Sequence, residues 1–221
     1  MRVIAIDGPA GSGKSTVAKA LASRLGLDYL DTGAMYRAVA FAALRRGIDP
    51  DDGATVARLA EQVEIDISEV VVVDGVDATI EIRGPEVTRA VSAVAANPAV
   101  RTELRRRQRE WTAAHDGGVI EGRDIGSVVF PNAELKVYLT ASDSERAGRR
   151  SKEVLDMDYD AVAADIARRD HADSNRSTHP LTIADGAVTV DTTGCSVEEV
   201  VDRVMALLPA PADGPVGDTA P

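Results

Sequence analysis

The residues best placed to do chemistry are Gly8-Pro9-Ala10-Gly11-Ser12-Gly13-Lys14-Ser15-Thr16. They fit G-x-x-x-x-G-K-[ST] at every fixed position, behind the apolar run Val3-Ile-Ala-Ile6 and ahead of the helix-like run Val17–Leu25. A bend of that composition wraps phosphate in backbone N–H groups, and the helix N-terminus behind it adds partial positive charge. Lys14 would reach the outer phosphates and the Ser15 hydroxyl would ligate Mg²⁺ directly. A Gly-rich turn that only caps a helix would explain the glycines but not Lys14-Ser15 behind them. The segment therefore implies a bound nucleoside triphosphate and leaves open what is done with it.

Further charged groups lie in separate segments. Asp31-Thr32-Gly33-Ala-Met-Tyr36-Arg37 follows a short apolar stretch. Asp31 or Thr32 can cap a helix starting near Ala34. Arg37 would then sit in its first turn, against the helix dipole, as a cation held there for an anionic ligand. Glu121-Gly122-Arg123-Asp124 follows Val119-Ile120, and ligands in α/β sheets lie beyond the carboxyl ends of strands. Arg123 and Asp124 could pair with each other, but Gly122 keeps the turn open at the expected crevice. Ser142-Asp-Ser-Glu145 reads as a capping box. Behind it Arg146, Arg149 and Arg150 share one helical face, either solvated or supplying mobile charge to phosphoryl transfer. Arg169 and Asp173 are spaced for a surface ion pair, and Arg176 lies beyond them. Of Arg101, Arg105, Arg106, Arg107 and Arg109, most read as solvated, with Arg101 beside an apolar stripe.

The elements that must position these groups alternate between strand and helix. Strand patterns fall at 2–7, 28–30, 118–121, 134–139 and 186–190. Helical patterns fall at 14–26, 34–47, 54–62, 98–115, 142–155, 159–171 and 196–208. This order indicates an α/β fold, a parallel sheet with helices on both faces. Residues 63–83 break the rhythm. Val63, Ile65 and Ile67 alternate, and Asp74-Gly75 separates Val70–Val73 from the alternating Val76, Ala78, Ile80 and Ile82, a hairpin signal within a small antiparallel insert. Asn97-Pro98 provides an N-cap and first residue for the next helix. One domain is expected over 1–208, with 209–221, rich in Pro and Gly, as a disordered tail.

Composition narrows the partners. A net charge of −11 argues against a general nucleic-acid binder. Aromatics make up only 3% of the chain, so aliphatic residues and Ala must fill the core. Cys195 has no partner, and the three His have no ligand-like spacing. No run approaches the ~20 apolar residues of a membrane span, and no secretion signal is evident. The cytoplasm is the default expectation.

Together, Ile6–Ser15, Leu30-Asp-Thr-Gly-Ala-Met-Tyr-Arg37, Gly122-Arg-Asp-Ile-Gly126 with Val128-Val-Phe-Pro131, and Arg169-Asp-x-x-Asp-x-x-Arg176 resemble the bacterial cytidylate kinases, P-loop nucleoside monophosphate kinases. The resemblance runs from residue 2 to about 208. It implies a P-loop core, a monophosphate-binding insert at about 63–96 and a helical Arg-rich lid at about 142–158. It implies ATP as donor with Mg²⁺, CMP or dCMP as acceptor, and a monomer. Carried over by position, Ser92, Arg101 and Asp124 would read the cytosine. Arg37, Arg123 and Arg176 would hold the acceptor phosphate, Arg169 and Asp173 would meet the sugar, and Thr32 and Tyr36 would complete the pocket. Lys14, Arg123, Arg176 and the lid residues Arg146, Arg149 and Arg150 would offset charge during transfer. An acceptor phosphate is already anionic near neutral pH, so no general base is required, and none is evident.

One departure concerns Glu121, where the family pattern leads us to expect Asp. A carboxylate there would hold a Mg²⁺-bound water, and Glu reaches further. Two rival readings are another small-substrate P-loop kinase, of shikimate or adenylate type, and a nucleotide switch module. The insert and the Gly-Arg-Asp segment argue against the first. The missing Asn-Lys-x-Asp signature argues against the second.

Overall fold

In the computed structural model, which describes residues 1–153, 159–176 and 181–209, the first apolar run forms the central strand β1 (Arg2–Asp7). It is buried from Val3 to Asp7, as a parallel strand covered on both faces must be. Strand β6 (Gly117–Gly122) pairs with it on one side and β7 (Leu135–Thr140) on the other. Strand β2 (Tyr29–Asp31) extends the sheet beyond β6, and β8 (Val188–Asp191) extends it beyond β7. The order is β2-β6-β1-β7-β8, and every pairing is parallel. All carboxyl ends therefore share one edge. The register sets Asp7 beside Gly122 and Asp31 beside Glu121.

Alternation along the strands divides the core. Val3, Ala5, Leu30 and Ile120 face α2 (Thr32–Arg45), α3 (Gly53–Gln62), α4 (Pro85–Ala96) and α5 (Pro98–Ala114). Ile4, Ile6, Val119 and Leu139 face α1 (Lys14–Leu25) and α8 (Val197–Met205). Small residues make up for the scarce aromatics. Ala34, Ala38, Ala40, Ala42 and Ala43 are all buried along α2, so the helices around it can approach closely. A third, minor cluster packs Ala10 against Ala147 of α6 (Asp143–Glu153) and Val162 and Ile166 of α7 (Tyr159–Ser174). It seats α6 and α7 on the phosphate loop. No helix among the described residues is long and apolar enough to cross a membrane.

The expected elements form within a few residues of their sequence limits, with instructive exceptions. The Asp74-Gly75 turn has φ of 49° and 75°, as the tight hairpin requires. It joins β4 (Val71–Val73) to β5 (Val76–Asp77), and β3 (Ile65–Ile67) completes the insert. The second strand does not run on to Ile82. Asp77 accepts from the Thr79 N–H at 3.0 Å, and the Thr79 hydroxyl accepts from Val71 N at 2.9 Å. Ala78 N still donates to Val71 O at 2.8 Å, after which side chains take over from the ladder, and the chain turns into a 3₁₀ segment at Glu81–Arg83. Ile80 is left 82% exposed while Ile82 is 0% exposed.

Half of the insert is helical. In α4 the buried residues Val87, Ala90, Val91 and Val94 follow a helical spacing that the strand reading passed over. Helix α2 begins at Thr32, not near Ala34, so Arg37 lies in the second turn and the dipole argument for it lapses. Asp31 caps that helix by accepting from Ala34 N at 2.9 Å. Asn97 caps α5, accepting from Ala99 N at 3.0 Å. The capping box at Ser142 is half formed. Ser142 Oγ accepts from Glu145 N at 3.3 Å, but Ser142 N donates to Thr193 Oγ1 and Glu145 turns to Arg149. The distal part of the expected lid, 154–158, and the tail from 210 lie outside the described residues.

Candidate active site

The phosphate loop leaves β1 at Asp7 and enters α1 through Gly13, whose φ of 87° suits glycine. Its carbonyls are held by side-chain donors. Lys14 Nζ donates to Pro9 O at 2.7 Å and Ser12 Oγ to the same oxygen at 3.1 Å. Arg146 Nη1 donates to Ala10 O at 3.0 Å, and Thr192 Oγ1 to Ser12 O at 3.2 Å. Ala10, Gly11, Gly13, Lys14, Ser15 and Thr16 line a cavity of about 520 Å³. Gly8, Pro9 and Ser12 do not line it; they shape the loop from behind. A Cβ on Gly8 would lie 2.1 Å from Leu139 O, so glycine lets the loop pack on β7.

The same cavity continues across the sheet edge. Its far wall carries Thr32, Tyr36 and Arg37 from α2, Ser92 and Ala95 from α4, and Arg101 from α5. Arg123 and Asp124 enter from the turn after β6, and Arg169, Asp173 and Arg176 from α7 and just beyond it. The tertiary fold thus joins residues that the sequence keeps in five separate segments.

Positive charge is concentrated there beyond what its carboxylates balance. Burial, then the charge of Arg123, lowers the Lys14 pKa to about 7. Burial and Arg169 lower Arg37 to about 9. Burial and Arg123 lower Arg169 to about 10. Arg176 is also lowered, chiefly by burial, and its Nη2 is a buried donor without a hydrogen bond. Arg37 is oriented by Ile82 O and Thr88 Oγ1, both at 3.0 Å. Crowded, desolvated cations of this kind are the electrostatic complement of an anion.

Two ion pairs settle pairings that the sequence left open. Arg123 and Asp124 do not pair with each other. Arg123 Nε donates to Asp173 Oδ2 at 2.9 Å, and Asp124 pairs with Arg101 in a fully buried contact. Asp173 does not pair with Arg169; Arg123 and Arg176 hold its carboxyl below the usual carboxylate range, against the effect of burial. Arg101 also lies 5.7 Å from the Tyr36 ring centroid, and its Nε is buried without a hydrogen bond. A planar ring, a guanidinium and a carboxylate at one end of the cavity suit a base edge, whose hydrogen bonds would complete theirs.

At the strand ends, Glu121 is only 3% exposed. Burial, then Asp31, raises its pKa. Its carboxylate accepts from the Tyr29 hydroxyl, and the Ser15 hydroxyl lies against it. Thr32 Oγ1 donates to Glu121 O at 2.7 Å, so Thr32 also pins α2 to the sheet. A Cβ on Gly122 would lie 2.7 Å from that hydroxyl; the glycine permits close packing rather than keeping the turn open. No cluster of three or more His, Cys, Asp or Glu that could hold a metal occurs among the described residues. A hydroxyl and one carboxylate fit a cation that takes its remaining ligands from phosphate and water.

Several side chains shape the site that the sequence did not single out for it. Asp7 accepts from Ile125 N and Gly126 N, both at 2.8 Å. Burial outweighs those bonds and raises its pKa to about 6. It fastens the Arg123-Asp124 turn, which continues into a π-helical turn at Ile125–Val129. Arg109 donates to Val129 O at 3.0 Å and Val128 O at 3.1 Å, bracing that turn. Arg107 donates to Val63 O at 2.7 Å and Ala60 O at 2.8 Å at the end of α3. These two side chains are therefore structural braces, not merely solvated. Arg83 lines the cavity and pairs with Asp31 at 3.2 Å. The spacing of Val87, Ala90, Val91 and Val94 was the available signal for the α4 wall.

The arginines of the expected lid divide. Arg149 and Arg150 line the cavity, whereas Arg146 does not. Arg146 is buried between Ala10 O, Asp143 and Asp170, where it ties α6 to the loop. Arg149 is directed by Glu145 at 3.1 Å and by Thr192 O at 2.7 Å.

Comparison with known proteins bears on this geometry. A family model described as Cytidylate kinase matches residues 4–210. A cytidylate kinase of Mycolicibacterium paratuberculosis is 49% identical over 215 residues, covering 93% of this chain and 94% of its own. One of Geobacillus kaustophilus is also 49% identical over 215 residues, covering 93% and 95%. Among solved structures, an uncharacterized protein from Eubacterium ventriosum aligns with a TM-score of 0.52 at 11% identity, covering 93% of this chain and 97% of its own. That likeness concerns the fold alone.

Proposed function

Because the chain belongs to the cytidylate kinase family, we propose how its own residues share out the phosphoryl transfer. The enzyme moves the γ-phosphoryl group of ATP to CMP or dCMP, giving ADP and CDP or dCDP. One observation carries the assignment of parts. Lys14, Arg37, Arg123, Arg169 and Arg176 converge on a single cavity that the phosphate loop also lines.

ATP lies along Gly8–Thr16, with Ala10, Gly11 and Gly13 nearest its phosphates and Lys14 on the outer ones. Arg149 and Arg150 approach from the lid. Ser15 would hold Mg²⁺ directly and Glu121 would hold it through a water, and the ion would offset charge on the transferring group. Arg37, Arg123 and Arg176 hold the acceptor phosphate, whose second pKa near 6 makes it an anionic nucleophile at neutral pH. No general base is needed, and the barrier falls through alignment and charge neutralisation. Arg169 and Asp173 meet the sugar. Ser92, Arg101 and Asp124 read cytosine, and Tyr36 and Thr32 close the wall.

The test is a panel of acceptors with ATP, read as ADP formed. CMP and dCMP are expected to turn over fast, and AMP and GMP far more slowly. Equal rates across the panel would sink the base-reading assignment.

A further inference from the structure

Strand β2 is only three residues long, yet it contributes to both faces of the sheet. Leu30 enters the core beneath α2. Tyr29 packs on the opposite side, against the cluster built around α1 and α8. The register places Asp31, two residues on, beside Glu121 of β6. By strand alternation Tyr29, Asp31 and Glu121 share the face that α1 covers. On α1, Ser15 and Lys19 are one turn apart. Lys19 Nζ lies 5.4 Å from the Tyr29 ring centroid, and the Ser15 hydroxyl lies against the Tyr29 hydroxyl. The ring is thus wedged between α1 and the sheet, with its hydroxyl at the foot of the phosphate loop.

There the hydroxyl donates to Glu121 Oε1. Glu121 is desolvated and has a side chain with more torsional freedom than Asp. Left alone, it could swing its carboxylate away from Ser15. A donor on one carboxylate oxygen fixes that torsion and leaves the other oxygen to accept a metal-bound water. We propose that Tyr29 is a positioning residue for the metal–nucleotide complex, acting through Glu121 to hold the carboxylate beside Ser15. The inference rests on the reading of Ser15 and Glu121 as the Mg²⁺-side residues of the ATP site. It assigns no contact between Tyr29 and either nucleotide.

The experiment measures Mn²⁺ binding to the protein–ADP complex by electron paramagnetic resonance, alongside ADP affinity without metal. Tyr29→Phe is expected to weaken Mn²⁺ binding about tenfold, the usual scale for losing a group that orients a ligand. Metal-free ADP affinity should stay at the wild-type value, which also reports an intact fold. Glu121→Gln should weaken Mn²⁺ binding at least as much. Adding Tyr29→Phe to Glu121→Gln should cost nothing further, because the two act as a unit. Unchanged Mn²⁺ binding in Tyr29→Phe would overturn the proposal. So would a further loss on adding it to Glu121→Gln, and so would unchanged Mn²⁺ binding in Glu121→Gln alone, a variant that leaves Tyr29 in place. If wild-type protein binds ADP equally well with and without Mn²⁺, the failure lies instead in the underlying reading of the metal side.

Discussion

The proposed donor half of the cavity comes from one stretch of chain, the phosphate loop, of which Ala10, Gly11 and Gly13–Thr16 line it, and the proposed acceptor half from α2, α4, α5, the turn after β6 and the end of α7. The donor half relies on backbone shape, with carbonyls tied back by Lys14, Ser12, Arg146 and Thr192. The acceptor half relies on side-chain charge: Arg169 depresses Arg37, Arg123 depresses Arg169 and Lys14, and burial lowers Arg176. A loop that binds phosphate through its backbone can be specified locally. A pocket that must tell one base from another needs side chains from several directions, and only packing can supply them.

The largest effect should come where the halves meet. Lys14→Met removes a loop cation that also feels Arg123 and Arg169 of the acceptor half. We expect kcat to fall by at least about 10³-fold, measured by ADP release under saturating CMP. A loss below tenfold would mean that Lys14 is not shared. Arg176→Ala should separate the halves. The kcat/KM for CMP should fall by roughly 10²-fold or more, while ADP affinity in equilibrium titration holds. Equal losses on both sides would erase the distinction between them.

Asp124→Ala should act on stability and selectivity together. Removing one partner of a buried ion pair leaves Arg101 uncompensated, a cost of about 3–5 kcal/mol in chemical denaturation. Discrimination between CMP and UMP should shrink with it. The smallest effect is protonic. The Lys14 pKa is lowered to about 7 because burial and Arg123 disfavour its charge. Bound nucleotide phosphate favours the charge and returns the pKa upward. ADP binding at pH 8 should therefore take up roughly one proton by linkage. At pH 6, where Lys14 is already charged, this group should take up almost none. Calorimetry in buffers of different ionisation enthalpy reads the number, and its persistence in Lys14→Met would assign it elsewhere.

The contrast between the halves also describes how readable they were. The phosphate loop could be read outright because its glycines, lysine and serine are consecutive. The strands at 2–7 and 134–139 and the Asn97-Pro98 helix start were equally local, and each forms within a residue or two. The insert was half legible. Asp74-Gly75 named the hairpin, but Thr79 ends the second strand through a bond to Val71 that alternation cannot reveal. The resemblance brought Ser92, Arg101 and Asp124 together as a set, yet gave no hint that α4 carries the first or that the other two pair. Arg146 shared a helical face with Arg149 and Arg150, but Asp170, far along the chain, turns it into a brace.

The sequence by itself determined the phosphate loop, the alternation that makes a parallel sheet and the number of charges available to the site. Those depend on neighbours in the chain and on periods of two and 3.6 residues. The tertiary structure decided which charges oppose which. Arg123 meets Asp173 rather than Asp124, Tyr29 meets Glu121, and Asp7 receives the turn at Ile125. Such choices follow from strand order and register, which bring distant segments to one edge. Coulomb and hydrogen-bond energies depend on separation in space, and separation along the chain does not report it.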